Sequence, residues 1–432
     1  MVDILPLNGL FYNENKIRNI SNVISPPYDV ISPPLEKILY NLDPYNIINL
    51  ILPKGSKKEK YKNSNKILNN WIENNILKFD NEKCFYIFEE NFYMGSKRKK
   101  ILGFVGLTKT EPYSKLKIIP HEQTILKLKQ DRLNLLFSCR TNFGLVYTLY
   151  NDNQNKILDI FKNTVQKKPF IYTPAVYDSS LSFKLWRISN ISDIEEIKKI
   201  MRDKKLIIAD GHHRYETSLA YKEECDSLKN KSNQSLSNPE DFILTLYIES
   251  SQKDILIYPN YRIIKFKNYP GLENILEKLN IYFNIETEIL KSYKYLEKRL
   301  LQSKSKGLRS FFIYGEDKKL YLLTLKSSIG DIYSNKKPVS GEYLNLDVNI
   351  LHNLILEEIE TQFKIEKIDF THSLDRAIEN IDNQKFDIGI LLNAPTVKEL
   401  ERICMSGHLM PHKSTYFYPK PCTGLVMYKF DR

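Results

Sequence analysis

The chain has 432 residues, 42% of them hydrophobic, with 28 tyrosines and 21 phenylalanines. That composition excludes a mainly disordered protein and leaves room for two or three domains. The formal charge of +12 comes from 51 lysines against only 13 arginines, and asparagine and isoleucine are also abundant. This pattern fits a coding bias towards A and T as well as a basic surface, so a nucleic-acid partner is the lesser reading.

Five scattered cysteines, at 84, 139, 225, 404 and 422, lack any CxxC pair and give neither a disulfide framework nor a zinc ribbon. The first residues lack a basic stretch followed by an apolar one, and no apolar run approaches the roughly 18 residues of a membrane helix. A soluble cytoplasmic protein with no membrane partner is expected.

Along the chain, Ser25-Pro-Pro-Tyr-Asp-Val-Ile-Ser32 forms a turn-rich loop, and a helix is expected from Pro34. Asn63 to Asn75 has a helical pattern, and Cys84 to Phe88 and Ile101 to Leu107 read as strands. Pro120 is expected to open a helix whose buried stripe holds Ile125, Leu128 and Leu135. On that geometry Glu122 occupies the first turn, and Arg132 lies near the stripe with His121, which is costly unless it faces a pocket or partner. Lys127 and Asp131 have the spacing of a surface ion pair.

Leu206-Ile-Ile208 is a short strand, Gly211 a tight turn, and an amphipathic helix follows in which Tyr215, Leu219 and Lys222 share a face. A polar insertion spans 229–239, and strands are expected at Phe242 to Ile248 and Ile255 to Tyr258. The remainder carries a helix around Asn274 to Leu279, a hairpin of Leu308 to Tyr314 with Lys319 to Leu325, and a helix Asp347 to Glu360. An extended tail, residues 410–420, is bracketed by Pro411 and Pro419. Interleaved strands and helices give an α+β class with mixed sheets. Three blocks are expected, at 1–115, 116–264 and 265–432.

The densest chemistry lies in Asp210-Gly-His-His-Arg214. Two histidines, an arginine and an aspartate at a strand-to-helix turn are poor core material. The backbone N–H groups and the positive end of the helix dipole suit an anion, phosphate first. Asp210 has the plainer alternative of capping the helix. His212 and His213 diverge by about 100° on a helix and do not share a metal readily. A metal-dependent hydrolase is therefore a minor reading. GxxxxGK[ST], GxGxxG, HRD with DFG, and GxSxG are all absent. In the tail, Lys413, Ser414 and Thr415 suit phosphate or carboxylate recognition, and Tyr28 and Asp29 are candidates to line a site.

Four ordered motifs, SPPYDVIS, PHEQTILKLKQDRLNLL, ADGHHRYETSLAY and MPHKSTYFYPK, resemble the domain-of-unknown-function 1015 family along nearly the whole chain. Locally, residues 115 to 225 resemble the ParB and sulfiredoxin superfamily, whose members include CTP-hydrolysing partition proteins, sulfiredoxins and free-serine kinases. Gly211, His213 and Arg214 match the glycine, histidine and arginine of its phosphate-binding box, with Tyr215 following as in sulfiredoxin. A sulfiredoxin has Cys where His212 stands, so that activity is not expected. Asp210-Gly211-His212 is similar to the turn of the serine kinases.

The resemblance implies a central nucleotide-binding domain that transfers phosphate from ATP or ADP, with Mg²⁺, to a small hydroxylated metabolite such as free serine. Gly211, His213, Arg214, His121 and Arg132 would hold the nucleotide. His212 would contact the transferring group, and Glu122 or Asp210 would take the proton or the metal. Tyr28, Asp29, Lys413, Ser414 and Thr415 would grip the substrate. A ParB-type nucleotide switch or clamp with a protein or nucleic-acid partner is the alternative.

Overall fold

A computed structural model describes residues 2–56, 59–122, 129–228, 238–326 and 341–431. These form two compact units. The first takes the chain up to Pro120, from Lys129 to Ile255 and from Pro419 onward; the second takes Leu256–Tyr418 with His121 and Glu122. The division differs from three sequential blocks because strands on both sides of residue 115 share one sheet.

That sheet has nine strands. Eight run in the order Ile118–Pro120, Leu206–Asp210, Val146–Tyr150, Phe242–Glu249, Lys97–Lys109, Phe85–Met94, Asp178–Ile188 and Ile171–Ala175. Ile4–Leu5 pairs with Lys97–Lys109. Two of the pairings are parallel and the rest antiparallel, so the sheet is mixed and the fold is α+β. Strands covered on both faces read as apolar runs rather than alternations. Phe85 to Phe92 is such a run, buried throughout, yet it contains Glu89, Glu90 and Asn91.

The amphipathic helices Lys156–Val165 and Ile191–Arg202 lay Ile157, Phe161, Ile194, Ile197 and Met201 onto one face of the sheet, where Phe104 stacks on Tyr247 at 4.5 Å. A second core joins Leu10, Trp71 of the helix Glu59–Glu73, and Leu135 and Cys139 of the helix Lys129–Cys139.

In the second unit a six-stranded antiparallel sheet runs Phe283–Glu288, Leu320–Leu325, Ser310–Gly315, Ile388–Leu391, Tyr261–Phe266, Ile365–Thr371. Two of its helices start on side-chain caps: the Ser373 hydroxyl accepts from the Arg376 amide, and Thr396 with Glu399 forms a capping box.

The helices expected from Pro34, around 63–75 and at 274–279 are present, as are the strands expected at 84–88, 101–107, 206–208, 242–248 and 255–258, the first beginning at Phe85 and the last at Leu256. The hairpin of Ser310–Gly315 with Leu320–Leu325 is present too. The helix expected from 347 contains a π-helical turn at Leu351–Leu356. One expectation is overturned. Pro120 ends a strand paired in parallel with Leu206–Ile208, a position without need of its missing N–H, and the observed helix begins at Lys129. Glu122 is therefore not in a first helical turn; it forms a parallel bridge with Met410. Ile125, Lys127, Leu128 and the insertion 229–237 lie outside the described residues.

Gly103 marks where the sheet admits no side chain. A Cβ there would stand 2.3 Å from the Tyr247 carbonyl oxygen and 2.2 Å from Ile248 Cδ1. Gly103→Ala should lose at least about 2 kcal/mol of unfolding free energy, as overpacked sites do, measured by urea denaturation.

Candidate functional site

The turn predicted from sequence is built by a fully buried strand, Leu206–Asp210, feeding a 17-residue helix, His212–Leu228. Gly211 has φ +90°, a region that disfavours other residues. It is also covered: a Cβ there would meet the Arg214 guanidinium at 3.0 Å. The helical ladder opens with the Tyr215 N–H on the Gly211 carbonyl at 3.0 Å.

Asp210 does not cap this helix. One carboxylate oxygen accepts from Arg214 Nη2 and the other from Lys420 Nζ. Burial pushes its pKa up, but Lys420 and Arg214 outweigh it and hold the carboxyl well below the usual range. Arg214 Nη1 donates to the Leu145 carbonyl. Two of the five guanidinium N–H groups are thus spent and three remain. Two cations against one carboxylate leave one net positive charge.

A second triad repeats the arrangement. Asp131 accepts from Lys60 Nζ at 2.6 Å, Tyr61 Oη at 2.7 Å and Arg132 Nε at 2.9 Å. Burial raises its pKa, and Lys60 and Arg132 bring it far below the ordinary range. Arg132 Nη1 donates to the Ile51 carbonyl at 2.7 Å, and its Cζ lies 4.4 Å from the centre of the Tyr28 ring.

Both arginines line one cleft with about 620 Å³ of empty space, its mouth included. Pro27, Tyr28, Leu135, Phe143, Thr217 and Thr423 share its wall. Burial, then Asp29, pushes the Tyr28 hydroxyl up to about 12 against the pull of Arg214 and Arg132, so it stays a neutral donor. Thr217 is buried and its hydroxyl has no partner. The C-terminal segment closes the cleft, since Ser25 and Thr423 exchange backbone hydrogen bonds at 3.2 and 2.8 Å. Gly144 admits this packing: a Cβ there would stand 3.3 Å from Thr423 Oγ1 and 3.6 Å from Arg214 Nη1.

Asp210, Gly211, Arg214, Arg132 and Tyr28 are thus gathered in the first unit, with His212 and His213 opening the helix. His212 is buried, and its charge acts on Asp210. Asp29 is exposed and is not among the lining residues.

The remaining expected residues belong to the second unit. His121 Nε2 lies 2.7 Å from Thr415 Oγ1, and the Met410 N–H donates to the His121 carbonyl at 2.8 Å. Glu122 Oε2 is 4.0 Å from His121 Nε2. Ser414 Oγ donates to the Pro411 carbonyl, and Lys413 adopts φ +60° with an exposed side chain. Asn260 Nδ2 donates to the carbonyls of Lys413 and Thr415 at 3.1 and 3.0 Å, so this segment is held by its backbone.

Several residues were not singled out from sequence. Thr423 comes from a distant segment, as does Lys420, which the sequence places among the tail lysines but not beside Asp210. Glu90 is fully buried with both carboxyl oxygens without a partner, and burial pushes its pKa well above the usual range. An acid inside an apolar run was its visible signal. Burial likewise pushes the Cys422 thiol and the Tyr147 hydroxyl well above their usual ranges. Among the described residues no group of three His, Cys, Asp or Glu gathers to hold a metal ion, and both oxygens of Asp210 are engaged. The turn therefore does not fit a protein-built Mg²⁺ site. Among the described residues no helix is long and apolar enough to cross a membrane.

The family model described as "Protein of unknown function (DUF1015)" matches residues 4–349. No curated protein sequence matches the chain significantly. Among solved structures, a conserved hypothetical protein from Pyrococcus furiosus is 13% identical, with 70% of this chain and 87% of that one covered and a TM-score of 0.34. A free serine kinase in complex with AMP is 14% identical over 73% and 88%, TM-score 0.36. SbnI from Staphylococcus aureus, truncated at its C-terminus, is 10% identical over 74% and 86%, TM-score 0.37. Likeness of this size assigns no activity or ligand to this chain.

Asp210→Asn should cost about 3–5 kcal/mol, because it leaves two buried cations with no counter-charge. The wild type should lose that contribution only as acid protonates Asp210, below the ordinary carboxylate range. Glu90 has the opposite sign. Its folded pKa is raised, so it destabilises increasingly as pH climbs from about 4 towards that pKa. Glu90→Gln should therefore unfold at a higher temperature than wild type near neutral pH, with the gap closing towards pH 4. Thermal unfolding followed by circular dichroism from neutral pH down to about pH 2 checks both signs.

Proposed function

We propose that this chain, which belongs to the DUF1015 family of proteins of unknown function, binds a nucleotide through the Asp210–Arg214 turn and transfers phosphate to a small hydroxylated metabolite, free serine first. One observation carries the reading: a glycine-hinged helix N-terminus opens beside two arginines, each held by an acid yet each in a triad of net charge +1. Phosphoryl transfer needs charge neutralisation and positioning more than covalent help. The helix start adds about half a positive charge to the two triads, a total that suits the phosphates of ATP or ADP.

In this reading Arg214, Arg132, the Thr217 hydroxyl and the first-turn amides bind phosphate oxygens, and Tyr28 donates from the opposite wall. Asp210 is a positioning residue. Its lowered pKa and two engaged oxygens make it a poor base, and what it contributes is the orientation of Arg214. Leu135, Leu136 and Phe143 offer an apolar surface for the rest of a nucleotide. When bound, Mg²⁺ would come with the nucleotide phosphates rather than on a cage of side chains.

Arg214→Ala should weaken ATP or ADP binding about 10- to 100-fold by calorimetry, the loss of a hydrogen-bonded charged partner. Unchanged affinity in a folded variant would remove the turn from the site. Incubation of wild type with ATP or ADP, Mg²⁺ and a metabolite pool should give a phosphorylated small molecule by mass spectrometry. Nucleotide binding with no such product, together with salt-dependent retention on duplex DNA, would favour the clamp reading instead.

A further inference from the structure

Arg262 lies on the strand Tyr261–Phe266 of the second unit, one in from the sheet edge, with none of its surface exposed. Its Nη1 donates to the carbonyl of Asn260, and the Phe370 ring centre is 5.1 Å from Cζ. Nε and Nη2 have no partner among the described residues. Those two N–H groups share one edge of the guanidinium plane and point in parallel, at the spacing of two oxygens of a carboxylate or phosphate. Side-chain geometry thus leaves the edge best suited to side-on recognition unpaired, though buried.

Energetics make that edge hard to explain as packing. A guanidinium keeps its charge near neutral pH, and charged donors buried without acceptors cost more than neutral ones. Glu122 is the acid whose field acts on Arg262, but its carboxylate does not take up the open edge. The surroundings are ordered. Asn260, which receives Nη1, also fixes the Lys413 and Thr415 carbonyls, and Thr415 is held to His121.

We propose that the Nε and Nη2 edge of Arg262 is an oxyanion-binding site of the second unit, taking the carboxylate or phosphate group of a small molecule side-on. The inference stands apart from the nucleotide reading, since it concerns another unit and a ligand that need not be a nucleotide.

The test is calorimetry on the full chain with L-serine, its methyl ester, glycolate and inorganic phosphate, and with ATP titrated in parallel. Either a carboxylate or phosphate should bind, and which one does identifies the source of the oxyanion. If it is a carboxylate, the methyl ester should bind at least about tenfold more weakly than serine. Arg262→Lys keeps the charge and loses the fork, and should weaken the bound oxyanion by at least about tenfold while leaving ATP affinity unchanged. Glu122→Gln removes the competing negative charge and should tighten the same oxyanion, a change that a purely structural arginine would not produce.

Absence of binding by every oxyanion up to about 10 mM would overturn the proposal. So would unchanged affinity in Arg262→Lys. Should that variant fail to fold, an unchanged or weakened oxyanion affinity in Glu122→Gln overturns it.

Discussion

The Asp210 carboxylate, held between Arg214 and Lys420, is the interaction on which the first unit's cleft depends. It joins a strand-to-helix turn to a segment 210 residues further along the chain. Such a buried triad is expensive to desolvate, and each member is tolerable only while the others are present. Its geometry also explains two glycines. Drawing Arg214 back towards Asp210 lays the guanidinium over Gly211, and sending Nη1 to the Leu145 carbonyl carries it past Gly144. A side chain at Gly211 would push the arginine away from the acid that orients it, whereas one at Gly144 would press on Thr423 and meet Arg214 only in ordinary contact.

The Lys60–Asp131–Arg132 triad uses the same device on the facing helix. In both, an acid next to the arginine fixes the plane of its guanidinium, and a lysine from elsewhere restores the positive balance. An isolated arginine in a half-buried cleft would sample many rotamers and lose entropy on binding; an arginine already tethered loses less. Tyr28 stands within reach of both triads. Because burial keeps its hydroxyl neutral, it adds a donor to the cleft without adding negative charge. The cleft thus carries two tethered arginines and a neutral hydroxyl, and its polarity does not depend on any single residue.

How much of this was legible follows from where each constraint is recorded. The turn was readable because its parts are adjacent: an apolar strand, Gly211 and a charged helix start lie within ten residues. The 17-residue helix and most strands of the long sheet announce themselves by the same local signals. Lys420 was not assignable as the partner of Asp210, since nothing local says which distant lysine returns to the turn. Pro120 misled for a physical reason. Proline before a polar stretch suits a helix start, but it suits the last residue of a strand equally well, and sheet pairing decided. Glu122 followed that error into the wrong local structure. Arg132 was read as needing a pocket or partner because a charge on an apolar stripe is costly, and that part of the argument used chemistry rather than periodicity.

Glu90 and Arg262 show why one kind of buried ionisable group points to a ligand and another does not. Both are inside the protein, and both have hydrogen-bonding atoms with no partner. Glu90 can escape the cost by keeping its proton, and the apolar run around it favours that neutral form. A neutral carboxyl still lacks its hydrogen bonds, but it no longer carries a buried charge. Arg262 has no such route: burial pulls its pKa down only to about 10, which leaves it charged at neutral pH. Its anchored Nη1 and open opposite edge are then the arrangement of a group whose counter-ion is meant to arrive from outside. The same reasoning separates Arg262 from Arg214 and Arg132, whose acids are supplied by the chain. At Arg262 the described residues supply no hydrogen-bonded acid, and the proposed visiting anion takes that place.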